Sequence, residues 1–136
     1  MFLKILKRLR MNYLKKVKEE TKSTIAIDFD GVIHKNSKGF HDGTIYDEPV
    51  AGTKEALEYL SRKYMLVIFT CKDDYTRPLV NGKSGVQLVW EWLDKHDLSK
   101  YIHSVTRIKP RARYYIDDNA IRFTSWGEAL IYMGEL

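Results

Sequence analysis

Apolar and polar positions along the chain alternate between two rhythms. Apolar runs of strand length stand at Thr24-Ile25-Ala26-Ile27, at Met65-Leu66-Val67-Ile68-Phe69 and at Arg113-Tyr114-Tyr115-Ile116, with a weaker run from Ile102 to Ile108. Between them apolar residues recur at helical spacing. Ala56, Leu57, Leu60 and Tyr64 lie in a segment that Thr53 is placed to cap, and Val86, Val89, Trp90 and Leu93 fall at i, i+3, i+4 and i+7. A last helix is expected from near Ser125. Strands alternating with helices argue for βαβ units and a parallel sheet. The expected fold is a small α/β, doubly wound, Rossmann-like domain, whose ligands belong at the carboxyl ends of its strands. Three of the four apolar runs stop at a polar residue: Asp28, Thr70 or Asp117.

The first residues follow a different pattern. Phe2, Ile5, Leu6, Leu9 and Tyr13 recur at helical spacing, with lysine and arginine filling much of the other side. Residues 1–22 therefore read as a basic amphipathic segment ahead of a domain over residues 23–136. Charge sharpens the division. Residues 1–22 hold eight of the 23 Lys and Arg and two of the 18 Asp and Glu, so the remaining 15 basic and 16 acidic groups nearly cancel. The chain's net +5 belongs to the segment. Three readings of it stay open: contact with an anionic membrane surface, contact with nucleic-acid phosphates, or packing on its own domain as an extra helix.

Composition narrows the class further. A length of 136 residues suits one domain able to bury its own core, and 44% hydrophobic with 30% charged residues is ordinary globular usage. The single cysteine, Cys71, excludes an internal disulfide and a multi-thiolate zinc site. No cleavage signal and no run of about 18 apolar residues is present, so the expected compartment is cytoplasmic, with residues 1–22 a candidate peripheral membrane contact.

The candidate chemistry sits at the predicted strand ends. In Asp28-Phe29-Asp30-Gly31 two carboxylates project from the end of the first run while Gly31 permits a tight turn. One can attack phosphorus or bind a metal, and the other can move a proton to or from the leaving oxygen. Asp117-Asp118 ends another run, and carboxylates meeting at one sheet edge repel unless a hard divalent cation joins them; oxygen-only ligands suit magnesium. The hydroxyl and backbone N–H of Thr70 can contact a phosphate, and Lys109 can offset charge on the transferring oxygens. Gly82-Lys83-Ser84 imitates the end of a phosphate-binding loop, but Arg77 stands where its first glycine is required, which excludes a Walker motif.

Asp-x-Asp-Gly, strand-Thr, Lys and strand-Asp-Asp, in that order over residues 24–124, resemble the four motifs of the haloacid dehalogenase superfamily. The resemblance implies a capless, magnesium-dependent phosphatase. Asp28 becomes the nucleophile that forms an aspartyl-phosphate. Asp30 becomes the general acid and base, its backbone carbonyl also meeting the metal. Thr70, flanked by Cys71 and joined by Gly31, becomes the substrate-binding element. Asp117, supported by Asp118, becomes a further metal ligand. Lys109 matches the third-motif lysine although it stands only eight residues before Asp117, and Lys100 is its rival. Val32 replaces the threonine common after the motif's glycine.

The 39 residues between Asp30 and Thr70 and the 38 between Thr70 and Lys109 leave no room for a cap domain beside a helix. Residues 34–52 form a polar loop that can act as a short flap, in which His34, Lys35, Lys38 and His41 are expected to be solvated. Capless members resemble enzymes for large phosphorylated substrates such as nucleic-acid ends, or enzymes that borrow a lid within a homo-oligomer. Two other classes compete: a receiver-like phosphoacceptor, and a binding module docking through its basic helix.

Overall fold

The computed structural model of the chain describes residues 1–20 and 23–135. Four strands, β1 (Thr24–Ile27), β2 (Met65–Phe69), β3 (Ser104–Thr106) and β4 (Tyr114–Ile116), form one sheet in the order β3-β2-β1-β4, with every neighbouring pair parallel. Four helices accompany them: α1 (Phe2–Glu20), α2 (Thr53–Ser61), α3 (Gly85–Lys95) and α4 (Trp126–Tyr132). The α/β class and parallel sheet expected from the sequence are met.

Register explains the core. Ile25 pairs with Leu66 and Ile27 with Ile68, so these four side chains share one face, while Ala26 and Val67 point to the other. Leu57 of α2 and Val89, Trp92 and Leu93 of α3 join that first face in a single buried cluster with Phe29 and Ile33. Both crossover helices therefore cover the same side. The chain steps from β1 to β2 to β3 in one direction, and crossovers of one hand taken in one direction fall on one side of a sheet. It then returns through residues 107–113, which hold no helix, to lay β4 beside β1. The strand order reverses between β1 and β4. Ligands of open parallel sheets bind in the crevice outside the strand ends at such a point.

Three boundaries differ from expectation. The strand expected over Ile102 to Ile108 is confined to Ser104–Thr106, because the turn Ser99–Tyr101 and the 107–113 return enclose it on both sides. Thr53 does not cap α2. Gly52, at φ 85°, is the cap residue, and Thr53 is buried as the first helical residue with its N–H donated to the Val50 carbonyl. The tight turn at 50–53 needs the left-handed conformation that glycine adopts without a Cβ penalty. Helix α2 also stops at Ser61, short of Tyr64. Elsewhere side chains cap as their types suggest: Ser84 and Gln87 form a reciprocal capping box on α3, and Ser125 accepts from the Glu128 N–H on α4. The Gly82-Lys83-Ser84 triplet is thus a helix start. Its lysine is engaged by Glu91 at 2.8 Å.

Candidate active site

The ladder between β1 and β4 continues one residue past β1, where the Asp28 N–H donates to the carbonyl of Ile116, the last residue of β4, at 2.8 Å. That bond sets Asp28 beside Asp117 and Asp118 at the reversal of strand order. One carboxylate oxygen from each of Asp28, Asp117 and Asp118 lies within 4.8 Å of the others. Gly31 makes the approach of Asp118 feasible. Its φ is 86°, and a Cβ there would stand 2.1 Å from the Asp118 Oδ2. Asp117 is itself fixed by the Asn119 N–H, which donates to its Oδ1 at 2.8 Å.

Burial pushes the Asp28 carboxyl up from 3.8 to about 7, and the neighbouring Asp117 and Asp118 add to the rise; the hydrogen bond from the Phe29 N–H opposes them. Three oxygen donors with this mutual repulsion suit a hard divalent cation such as magnesium. The sign of the pH effect follows. A raised pKa means that folded Asp28 keeps a proton the unfolded chain has already released, so its stabilisation is complete below about pH 4 and is lost as pH rises through about 7. With chelator present, melting temperature should fall by several degrees between pH 5 and pH 8. The shift corresponds to about 4 kcal/mol for a fully buried group, reduced by half-exposure to about 1–2 kcal/mol. Asp28→Asn should flatten that dependence, and magnesium should reverse it. A melting temperature equally pH-dependent in Asp28→Asn would assign the effect to other groups.

Asp30 faces a different set of partners. Its Oδ1 meets His34 Nδ1 at 2.8 Å and its Oδ2 meets the Lys72 ammonium at 3.3 Å. The tautomer of His34 follows from its second nitrogen. The Asp47 backbone N–H, which can only donate, points at Nε2 at 3.1 Å, so Nδ1 carries the proton and donates it to Asp30. His34 is 0% exposed and packs against both the Phe29 and Trp92 rings, whose centroids are 5.6 and 5.7 Å away. It is therefore not the solvated loop residue its sequence context suggests. The same contacts anchor the flap, because Trp92 Nε1 donates to the Asp47 carbonyl at 3.0 Å.

Lys72 was not legible as a site residue, yet it is buried and reaches Asp30. Thr70 opens the short turn Cys71–Asp73, and its hydroxyl oxygen accepts the Lys72 N–H at 3.2 Å, which turns the lysine inward. Helix α3 closes over it. A Cβ on Gly85 would stand 1.6 Å from the Lys72 carbonyl oxygen, so only glycine allows this approach. Gly85→Ala should cost about 1–3 kcal/mol through overpacking of backbone on backbone. Denaturant titration measures it, and an unchanged midpoint would show that α3 can move away freely.

The remaining expectations divide. Thr70 is buried next to Asp28, but its N–H is already donated to the Thr106 carbonyl at 2.9 Å, so of the two phosphate contacts expected from it only the hydroxyl proton is free to serve. Cys71 and Thr70 line a recess of about 440 Å³ with Asp28, Asp117, Asp118 and Asn119. Lys109 enters a neighbouring groove of about 750 Å³ that also touches Asp28 and Asp117, with its ammonium 5.0 Å above the Tyr115 ring. Lys100 lies elsewhere. It pairs with Asp97 at 3.2 Å in the turn that precedes β3, at the amino end of the sheet, and this removes it as a rival. Asp30 contributes no side-chain oxygen to the cluster of Asp28, Asp117 and Asp118, because both its oxygens are taken by His34 and Lys72.

No family model matches the chain, and neither a curated protein nor a solved structure is similar to it at a significant level.

Proposed function

We propose that the protein is a magnesium-dependent phosphomonoester hydrolase of the haloacid dehalogenase type, working through an aspartyl-phosphate on Asp28. The observation that carries this reading is the meeting of Asp28, Asp117 and Asp118 where strand order reverses, with Asp30 two residues on and separately held by a buried histidine and a buried lysine. An acidic turn that merely capped a helix would not need Gly31 to admit Asp118, nor a 0% exposed His34 behind Asp30.

Asp28, Asp117 and Asp118 are the residues that would hold the metal, which when bound supplies positive charge against the carboxylates and the phosphoryl oxygens. Asp28 attacks phosphorus, forming the new Asp28 oxygen–phosphorus bond as the ester oxygen–phosphorus bond breaks. The Thr70 hydroxyl and the Lys109 ammonium orient and offset the phosphoryl oxygens. Asp30 in its protonated form delivers that proton to the departing alkoxide and, then a carboxylate held by His34 and Lys72, removes one from the water that cleaves the aspartyl-phosphate, which restores the acid. His34 and Lys72 fix the direction of that carboxyl, which a proton transfer over hydrogen-bond distance requires.

The intervals between motifs are filled by α2, α3 and the loops before them, which supports a capless site. Sustained phosphate release from an aryl phosphate with magnesium, stopped by excess chelator, tests the reading. A phosphoacceptor would stop after one equivalent, and a binding module would release none.

A further inference from the structure

We propose that α1 is an in-plane anchor for an anionic lipid bilayer, independent of the reaction at Asp28. Phe2, Ile5, Leu6, Leu9 and Tyr13 follow one another along one side of this 19-residue helix, and Lys4, Lys7 and Arg8 lie toward the other. Among the described residues nothing buries that apolar side: Phe2 is 72% exposed, Leu9 58% and Tyr13 67%, and even Leu6, the most sheltered of the five, is 45% exposed. Most of a helix's stability in water comes from a covered apolar side, so in use a partner covers this one.

Charge identifies the partner. Residues 1–18 contain seven Lys and Arg and no acid, whereas residues 23–136 are close to neutral. A bilayer bearing anionic headgroups satisfies both sides at once, since acyl chains take the apolar residues while headgroups meet the cations. Nucleic acid would engage the basic side and leave Phe2, Ile5, Leu6 and Leu9 in water. The open groove on the body is a poor seat for α1, because Lys109, Arg113 and Arg122 outnumber Asp28 and Asp117 in its lining. Two copies of α1 packed through their apolar sides would leave all their cations without anionic partners, which headgroups supply. No described helix is long and apolar enough to cross a membrane, so the geometry is one of lying on the surface.

The test is co-sedimentation of the full chain with vesicles of phosphatidylcholine alone or of phosphatidylcholine and phosphatidylserine in a roughly 2:1 ratio. Binding should be about 10-fold or more stronger to the anionic vesicles and should weaken as salt rises. The double variant Leu6→Glu, Leu9→Glu should lose at least about 10-fold of that binding with its melting temperature unchanged, because both residues are exposed. The triple variant Lys4→Gln, Lys7→Gln, Arg8→Gln should weaken binding to the anionic vesicles alone. Equal affinity for both vesicle types would overturn the proposal. So would anionic binding that ignores the apolar substitutions, which is the signature of a purely electrostatic contact such as nucleic acid. A fall in melting temperature in the Leu6, Leu9 variant would instead mean that α1 packs on its own body, and loss of a dimer without vesicle binding would assign the surface to a second copy.

Discussion

Asp28→Asn should reduce phosphate release from an aryl phosphate by at least about 10⁴-fold while the protein stays folded, since an amide oxygen cannot serve as the attacking carboxylate and losing a nucleophile removes a whole route. Local structure should survive. The backbone bond from residue 28 to the Ile116 carbonyl does not involve the side chain, and asparagine is of nearly the same size. Stability supplies a second, opposite readout. At neutral pH without metal the native carboxylate is disfavoured by burial and by Asp117 and Asp118, so the variant should melt higher than the native protein above about pH 7. Loss of activity together with a gain of stability is hard to produce by misfolding. Near-native turnover in the variant would remove Asp28 from the chemistry, and a large drop in melting temperature would mean that its role is structural.

Asp30→Asn should slow hydrolysis of alkyl phosphates by roughly 10²–10⁴-fold in the first turnover and barely slow phosphoryl transfer from a nitrophenyl phosphate. An alkoxide leaves poorly unless protonated, whereas a nitrophenolate leaves unaided. Asparagine keeps an oxygen to accept from His34, but its NH₂ group and the Lys72 ammonium are both donors, so Lys72 loses its partner along with the transferable proton, and the nitrophenyl ester is the control that the site still transfers phosphorus. Because Asp30 also activates the water that cleaves the aspartyl-phosphate, the variant should release a burst of nitrophenol and then stall. Rapid quench separates the two phases. Equal first-turnover losses on both esters would leave Asp30 with a positioning role only.

What the sequence disclosed about this site was what strand ends disclose. Asp28 and Asp117 each follow directly on an apolar run, with Asp30 and Asp118 within two residues of them, so a parallel sheet alone was enough to gather them at one edge. Their division into a cluster of three and a separately paired Asp30 was not legible, because it depends on where His34 and Lys72 finish. Both sit in polar surroundings that imply solvent. Their burial is tertiary: Trp92, more than fifty residues further on, packs against His34, and Gly85 lets α3 close over the Lys72 backbone. Lys100 and Lys109 could not be separated by spacing, since only the direction of β3 tells which end of the sheet each occupies. The cap of α2 falls at Gly52 rather than Thr53 for a related reason. Thr53 has the side chain of a cap residue, but the backbone turn before it demands a left-handed residue at position 52.

The central claim is a covalent one, that phosphorus passes through Asp28. The most direct measurement is an acid-quenched single turnover of the native protein with a labelled aryl phosphate and magnesium, followed by peptide mapping. A transient, hydroxylamine-sensitive phosphate is expected on the peptide containing Asp28, accumulating further in Asp30→Asn. Hydrolysis proceeding with no protein-bound phosphate, or with phosphate on any other residue, would contradict it.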